Sequence, residues 1–462
     1  MRGDSMQERL LGDEASSPDF RRGGRKEKDQ GAWSLHHVAL YTLYAFLLFF
    51  KPSEAFLVDF LLSRNIEGVD SEKDLSRSVL AVFTYSRMPA LLLCLLLCRV
   101  CGCKAVVVLG SLCGLGMTFL TITAGSLPVL QLSQLLAAFA FAGHIAFDAL
   151  QFSGVTAEGF QIVSHFTKGF TLASCCVSSL LGQFLRNSVG GSTLFAITMA
   201  FEGLACIVAL LLPGGGGGDR GGEVAPQRPD SAQGQGGSRW GSAKGSPFFE
   251  VWQSMWKGQV FLWVLLWVFC YAAHDLVLTN WQILAEVKLE QYSMRNLNGY
   301  MWSAGYMVSA VLTLVTSSCK GLYAYCPFIM VGAPLIMGLA LFGMGLSTIA
   351  SFYSSFVFFQ AAFQLTAAVR NASIARDVGA TREGGVDRVF VLSAILWAAS
   401  GAGVGFEAMI QGLIQSVASL SFADEVVWVA LGVILSVVSF FFASFFLVCR
   451  VKRERRKRRR GI

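Results

Sequence analysis

Residues 47–62 read LLFFKPSEAFLVDFLL, and the meaning of this stretch decides the fold. Its Leu, Phe and Val residues are dense enough to enter a bilayer, yet Lys51, Pro52, Glu54 and Asp59 interrupt them. A charged side chain at the centre of a spanning helix costs about 2.5–3.5 kcal/mol on insertion scales, so such residues are kept where they face a cavity or a partner. Pro52 removes a backbone donor, and its ring excludes a straight helix. The segment therefore predicts a membrane helix broken so that polar groups face a protein interior instead of lipid.

The surrounding sequence extends that reading. Of 462 residues, 54% are hydrophobic and only 15% are charged, more apolar surface than one soluble domain can bury. Twelve apolar windows recur at 35–63, 78–98, 104–124, 127–153, 163–186, 192–212, 258–285, 297–318, 322–346, 349–373, 388–415 and 424–449, each long enough for a helical span. They predict an all-α membrane protein of twelve transmembrane helices. Residues 1–32 are polar with no apolar core, which predicts a disordered cytosolic tail and no removable signal peptide. Residues 213–257 are rich in Gly, Ser and Pro and predict a flexible cytosolic linker between two six-helix halves, 33–212 and 258–449.

Charge sets the orientation. Arg64, Lys73, Arg77, Arg186, Lys288 and Arg295 fall in outer loops, and Lys51, Arg87, Lys168 and Arg370 fall within spans; the remaining basic residues lie inside if both termini are cytosolic. The basic tail 450–462 directly follows a span, where it meets an anionic inner leaflet, so it is read as a lipid anchor and not as a nucleic-acid patch. The 12 cysteines lie within spans or at their inner ends, so no extracellular disulfide framework is expected. Cys98, Cys101 and Cys103 have metal-like spacing but lack a fourth ligand, and read as small apolar residues or acylation sites. No stretch matches the phosphate-cradling G-x4-G-K-[ST] pattern, which disfavours an ATP-driven pump. No metal or other cofactor is called for.

Two six-helix halves about a cytosolic linker is the architecture of major facilitator transporters, whose halves rock about a midplane site. The intramembrane polar residues fall where that fold needs them, on the first, fourth, seventh and tenth windows. These are Lys51, Glu54 and Asp59; Gln134, His144, Asp148 and Gln151; His274, Asp275 and Gln282; and Gln360, Gln364 and Arg370. His144, Asp148 and Gln151 share one helical stripe, and Lys51 with Glu54 forms an i, i+3 pair beside Pro52. Arg87 beside Pro89 and Glu407 in GAGVGFEAMIQ either line the cavity or serve as a hinge salt bridge and a helix-contact site, and the structural readings are favoured. The sequon at Asn371 lies in or just inside the tenth window, out of reach of glycosylation.

KPSEAFLVDFLL resembles the first-helix Pro-(Ser/Gly)-Glu-x-Phe-(Leu/Ile) signature of the reduced folate carrier and thiamine transporter family. VFTYSRMPALLLCLLL, HIAFDALQFSGV, FQIVSHFTKGFTLASCCVSSLLGQFL and VFCYAAHDLVLTNWQILAEV resemble its second, fourth, fifth and seventh spans, in order. The resemblance implies a secondary carrier that moves a B vitamin, thiamine or folate, without ATP. It places Glu54 on a cavity glutamate, Lys168 on a basic fifth-helix position, and Trp281 with Gln282 near a substrate-facing stretch. His144 stands where folate carriers have an arginine and thiamine transporters a glutamate, and Gln360 replaces a folate-carrier arginine.

The expected substrate-binding set is therefore Glu54, His144, Asp148, Gln151, His274, Asp275, Trp281, Gln282, Gln360 and Arg370, with Lys51, Pro52, Asp59 and Lys168 for gating or coupling. The coupling partner is a proton carried by the His and Asp residues, or an exchanged anion. Glu54, Asp148 and Asp275 against Lys51 and Arg370 leave the site net negative, more so if Asp59 faces inward, which ranks thiamine above folate. Trp281 would add a ring face for a cation. The alternative is a carrier of the same fold for another organic cation or small solute. An enzyme would need a nucleophile, base and orienting group converging on one atom, and no such set is visible. The expected location is the plasma membrane.

Overall fold

The computed structural model describes residues 35–64, 66–68, 75–152, 160–213, 251–252, 255–256, 260–292, 297–317, 322–346, 348–380, 388–416 and 425–459. The predicted N-terminal tail and nearly all of the linker lie outside these residues. Among them no strand forms beyond an isolated bridge between Glu67 and Ser126. The first window is split, as Pro52 requires. Helix α1 (Leu35–Leu48) ends before it, a short 3-10 turn covers Glu54–Phe56, and α2 (Leu57–Leu62) resumes the path. The helices that follow are α3 (Ala81–Cys101), α4 (Cys103–Thr123), α5 (Leu127–Leu150), α6 (Phe160–Val189) and α7 (Gly191–Leu211). Beyond the linker come α8 (Val260–Tyr292), α9 (Asn298–Ser317), α10 (Leu322–Met344), α11 (Ile349–Ala380), α12 (Arg388–Ser416) and α13 (Glu425–Arg459).

By length and apolar composition, eight helices among the described residues can cross a membrane. Three of the other four windows depart for local reasons; the fourth, α9, is likewise not among the eight. The first window is divided at Pro52, α6 interrupts its apolar face with His165, Lys168 and a run of Ser, Thr and Cys, and the apolar part of α10 is confined to Val331–Met344. The end of the expected linker is ordered: Val251 is buried in the main core, and Trp256 stacks on Phe261 with ring centroids 4.5 Å apart. Helix α13 carries on to Arg459, so most of the basic tail continues the last helix.

Within the first half, α4 packs on α5 and α7; within the second, α10 packs on α11 and α13, and α8 on α12. The halves meet chiefly through α6 against α9 and α3 against α12. Close approach depends on glycine. A Cβ on Gly110 would stand 2.6 Å from the Gly143 backbone, and one on Gly182 of α6 would strike the Pro52 carbonyl. The break in the first span is held there, with Ser53 Oγ 2.9 Å from Thr198 Oγ1 on α7. Breaking the helix frees carbonyls that must find partners inside the protein, because lipid offers none. The short-range bonds Glu54 N–H to Lys51 O (3.2 Å) and Phe56 N–H to Ser53 O (3.0 Å) satisfy two of them.

Cys98 and Cys103 are joined by a disulfide, where the sequence suggested separate small or acylated side chains. Gly102 between them has φ +86°, a turn that L side chains rarely adopt, and it brings the two Cα atoms within 4.6 Å.

Candidate functional site

Glu54 sits on the 3-10 turn and is exposed, whereas Ser53, Ala55 and Phe56 around it are buried. Lys51, Cys175 on α6 and Tyr306 on α9 lie within its electrostatic reach, and Gln282 on α8 donates to its carbonyl at 3.5 Å. A carboxylate that is accessible yet ringed by several helices faces an internal space, not lipid. Among the described residues it has no ion pair. Lys51, expected beside Glu54, instead pairs with Glu202 of α7 at 2.9 Å. The chain is not α-helical from Phe49 to Ser53, so the i, i+3 geometry assumed for Lys51 and Glu54 does not form.

Lys168, one turn into α6 from His165, is the hub of the interior charges. Asp148 of α5, Arg370 of α11 and Cys175 lie within its electrostatic reach, and so do His144 of α5 and His274 of α8. His144 lies against the Phe49 ring with centroids 5.0 Å apart. His274 shares a 3.1 Å hydrogen bond between Nε2 and Gln360 Oε1, and its ring stacks on Phe363 at 3.5 Å. Asp148 accepts from Asn371 Nδ2 at 3.2 Å, and Asn371 Oδ1 in turn accepts from Arg370 Nε at 2.9 Å. The Arg370 guanidinium lies 3.7 Å from the centre of the Trp267 ring. A chain of polar contacts thus crosses from α5 to α11, joining the two halves.

Several buried polar atoms on, or one residue beyond, the helices that carry these groups have no partner among the described residues: His274 Nδ1, Gln364 Oε1, Gln151 Oε1 and Arg370 Nη1. Orphaned groups of this kind cost free energy in an empty interior, and a water or a ligand can complete them. They are donors and acceptors drawn from both halves, the arrangement needed to hold a polar small molecule.

Other expected residues lie elsewhere. Asp275 is on α8 beside His274 but is bonded to Arg87 of α3, whose other nitrogen is bonded to Glu407 of α12. Asp59 pairs with Arg186 at 2.5 Å at a partly exposed site on α2. Trp281 is fully buried between Trp302 (4.9 Å) and Phe356 (4.7 Å). Gln134 is buried and donates to Ser133 Oγ at 3.5 Å. Sequence reasoning missed Glu202, which is set in the apolar run AFEGLACIVALL, and it used Asn371 only as a sequon; its one available signal was a charge or amide inside a hydrophobic window.

The profile of the reduced folate carrier family matches residues 31–216 and 230–396, covering both halves. The chain belongs to the reduced folate carrier family. The reduced folate transporter of Homo sapiens is 25% identical over 367 residues, 74% of this chain and 62% of that protein. Thiamine transporter 1 of Homo sapiens is 31% identical over 180 residues, 38% of this chain and 35% of that protein. Thiamine transporter 2 of Mus musculus is 28% identical over 184 residues, 39% of this chain and 37% of that protein. The matched stretches therefore fall well short of these relatives' full lengths. The crystal structure of the human organic anion transporter MFSD10 (TETRAN) superposes with a TM-score of 0.60, covering 88% of this chain and 98% of that one at 11% identity, a likeness of fold alone. This member of the reduced folate carrier family is an all-α, multi-pass membrane protein of major facilitator fold, and its family is one of carriers, not enzymes.

Proposed function

We propose that this protein is a secondary active vitamin transporter that moves thiamine or a folate by alternating access, with thiamine ahead of folate. On this reading it spans the plasma membrane twelve times, two six-helix halves flank the linker, and both termini are cytosolic. The observation that carries the proposal is the convergence of Lys168, His144, Asp148, His274 and Arg370 from both halves around buried polar atoms without partners. A site shared between halves can be exposed to one side and then the other as they rock. Glu54 supports the cation: it is an accessible interior carboxylate with no ion pair among the described residues, placed to meet a positive ring.

Radiolabelled uptake into vesicles containing the purified protein tests this. Thiamine is expected to accumulate chemically unchanged, and excess unlabelled thiamine to suppress uptake more than 5-methyltetrahydrofolate does. Stronger competition by the folate would reverse the order of substrates. Uptake of neither vitamin, with accumulation of another organic cation, would move the protein to the broader carrier class.

A further inference from the structure

Arg87, Asp275 and Glu407 form a cluster that the vitamin site leaves unused. Arg87, on α3 of the first half, is 1% exposed; its Nη1 donates to Asp275 Oδ2 and its Nη2 to Glu407 Oε2, both in the second half. The guanidinium lies over the Phe83 ring at 4.4 Å and near the Phe141 ring of α5 at 5.5 Å. Glu407 is 0% exposed, and its second oxygen, Oε1, has no partner among the described residues. Gln411, one turn further along α12, is equally buried and also lacks partners. The other titratable groups facing the cluster come from α8: Tyr271 lies within electrostatic reach of all three residues, and His274 within reach of Asp275.

Two carboxylates on one guanidinium leave a surplus negative charge in a space walled by Phe83 and Phe141. Like charges that share a buried site do not both stay ionised easily, and one proton removes the conflict. The vacant lone pairs of Glu407 Oε1 are where it binds. With that proton, Arg87 and Asp275 remain a neutral ion pair, and Glu407 becomes a neutral acid no longer tied to α3 by charge. Without it, Arg87 is clamped by both helices of the second half.

We infer that Arg87, Asp275 and Glu407 form a proton-exchange site that couples proton movement to the parting of the two halves. The inference rests on the transporter reading for its use, but the proton site itself does not. The proton comes from the aqueous phase onto Glu407 Oε1 and returns to it; no heavy-atom bond is made or broken.

Infrared difference spectroscopy of the purified full chain, titrated with pH, reads the site without any substrate. The wild type is expected to show a protonated-carboxyl carbonyl band that grows as pH is lowered and fades as it is raised. Glu407→Gln removes the titrating acid and the band. Asp275→Asn leaves Arg87 with one carboxylate, which then stays ionised, so the band is lost again; this second variant decides the matter if the first fails to fold. A band unchanged in either folded variant, or absent from the wild type, overturns the site.

In vesicles, Glu407→Gln is expected to lower the ratio of proton-driven accumulation to substrate exchange about tenfold and to flatten the pH profile. A profile parallel to the wild type overturns the coupling. If the wild type moves no substrate while the band still depends on Glu407, the transporter reading fails and the proton site stands.

Discussion

Lys51 has two carboxylates within reach, and the structure assigns them different work. Glu202 is 1% exposed and pairs with the ammonium at 2.9 Å, whereas Glu54 is accessible and has no ion pair among the described residues. Glu202→Gln strands a largely buried ammonium. Breaking a buried pair costs about 3–5 kcal/mol. Lys51 keeps 17% of its side-chain surface and the nearby Glu54 charge, which discounts that cost below the range to about 2–3 kcal/mol. At about 2 °C per kcal/mol for a large domain, Tm should fall by about 4–6 °C. Glu54→Gln removes a charge that no partner misses, so stability should stay within about 0.5 kcal/mol while uptake falls at least about tenfold. Thermal unfolding in detergent, followed by the fluorescence of the 10 tryptophans, measures the first quantity, and vesicle uptake the second. Equal losses of Tm in the two variants, or wild-type uptake by Glu54→Gln, would refute this division of roles.

Lys168→Gln should raise the KM for uptake by about tenfold or more with little change in expression, since the hub of the interior charges is lost; an unchanged KM would remove it from the site. Gly182→Ala places a methyl group against the Pro52 carbonyl and should cost about 1–3 kcal/mol by overpacking, read as a lower Tm and reduced uptake. His144→Gln and His274→Gln should both keep the wild-type pH dependence of uptake between about pH 5 and 8, because the triad carries the proton; a flattened profile in either would return the relay to an imidazole. Protease added to intact cells should leave residues 213–257 uncut, and cleavage there from outside would invert the proposed topology.

The break in the first span was legible because its cause is local: a proline without a donor, beside charges that lipid rejects. The family was legible for a related reason, since short ordered motifs survive where pairings cannot be read. Ion-pair partners were not legible. Lys51 seemed to belong to Glu54 because sequence offers only neighbours along a helix, but the helix unwinds at that point and the nearest carboxylate comes from α7. Arg87 and Glu407 read as cavity-lining or structural, yet nothing in the sequence says that one guanidinium serves two helices of the opposite half. Trp281 looked like a ring for a cation because it stands in a substrate-like motif. Its neighbours Trp302 and Phe356, which enclose it, come from α9 and α11 and could not be counted along the chain.

These pairings change the charge argument about substrate without reversing it. Counted along the sequence, Asp275 and Asp59 make the interior acidic, but Arg87 holds the first and Arg186 the second, and Lys51 is spent on Glu202. The groups left around the proposed site are Glu54 and Asp148 against Lys168 and Arg370, a balanced set. Its balance is uneven in space. Asp148, Lys168 and Arg370 lie within electrostatic reach of one another, while the one cation shown within reach of Glu54 on the broken span, Lys51, is already paired. A polyanion entering such a site finds no surplus cation, since Asp148 lies within electrostatic reach of both Lys168 and Arg370. A singly charged cation meets the opposite situation at Glu54, where the carboxylate has no competing partner to give up, and its neutral polar atoms can meet the unpartnered groups of His274, Gln151 and Gln364. The proposed preference for a cationic vitamin therefore rests on Glu54, which has no ion pair among the described residues, not on a net negative count.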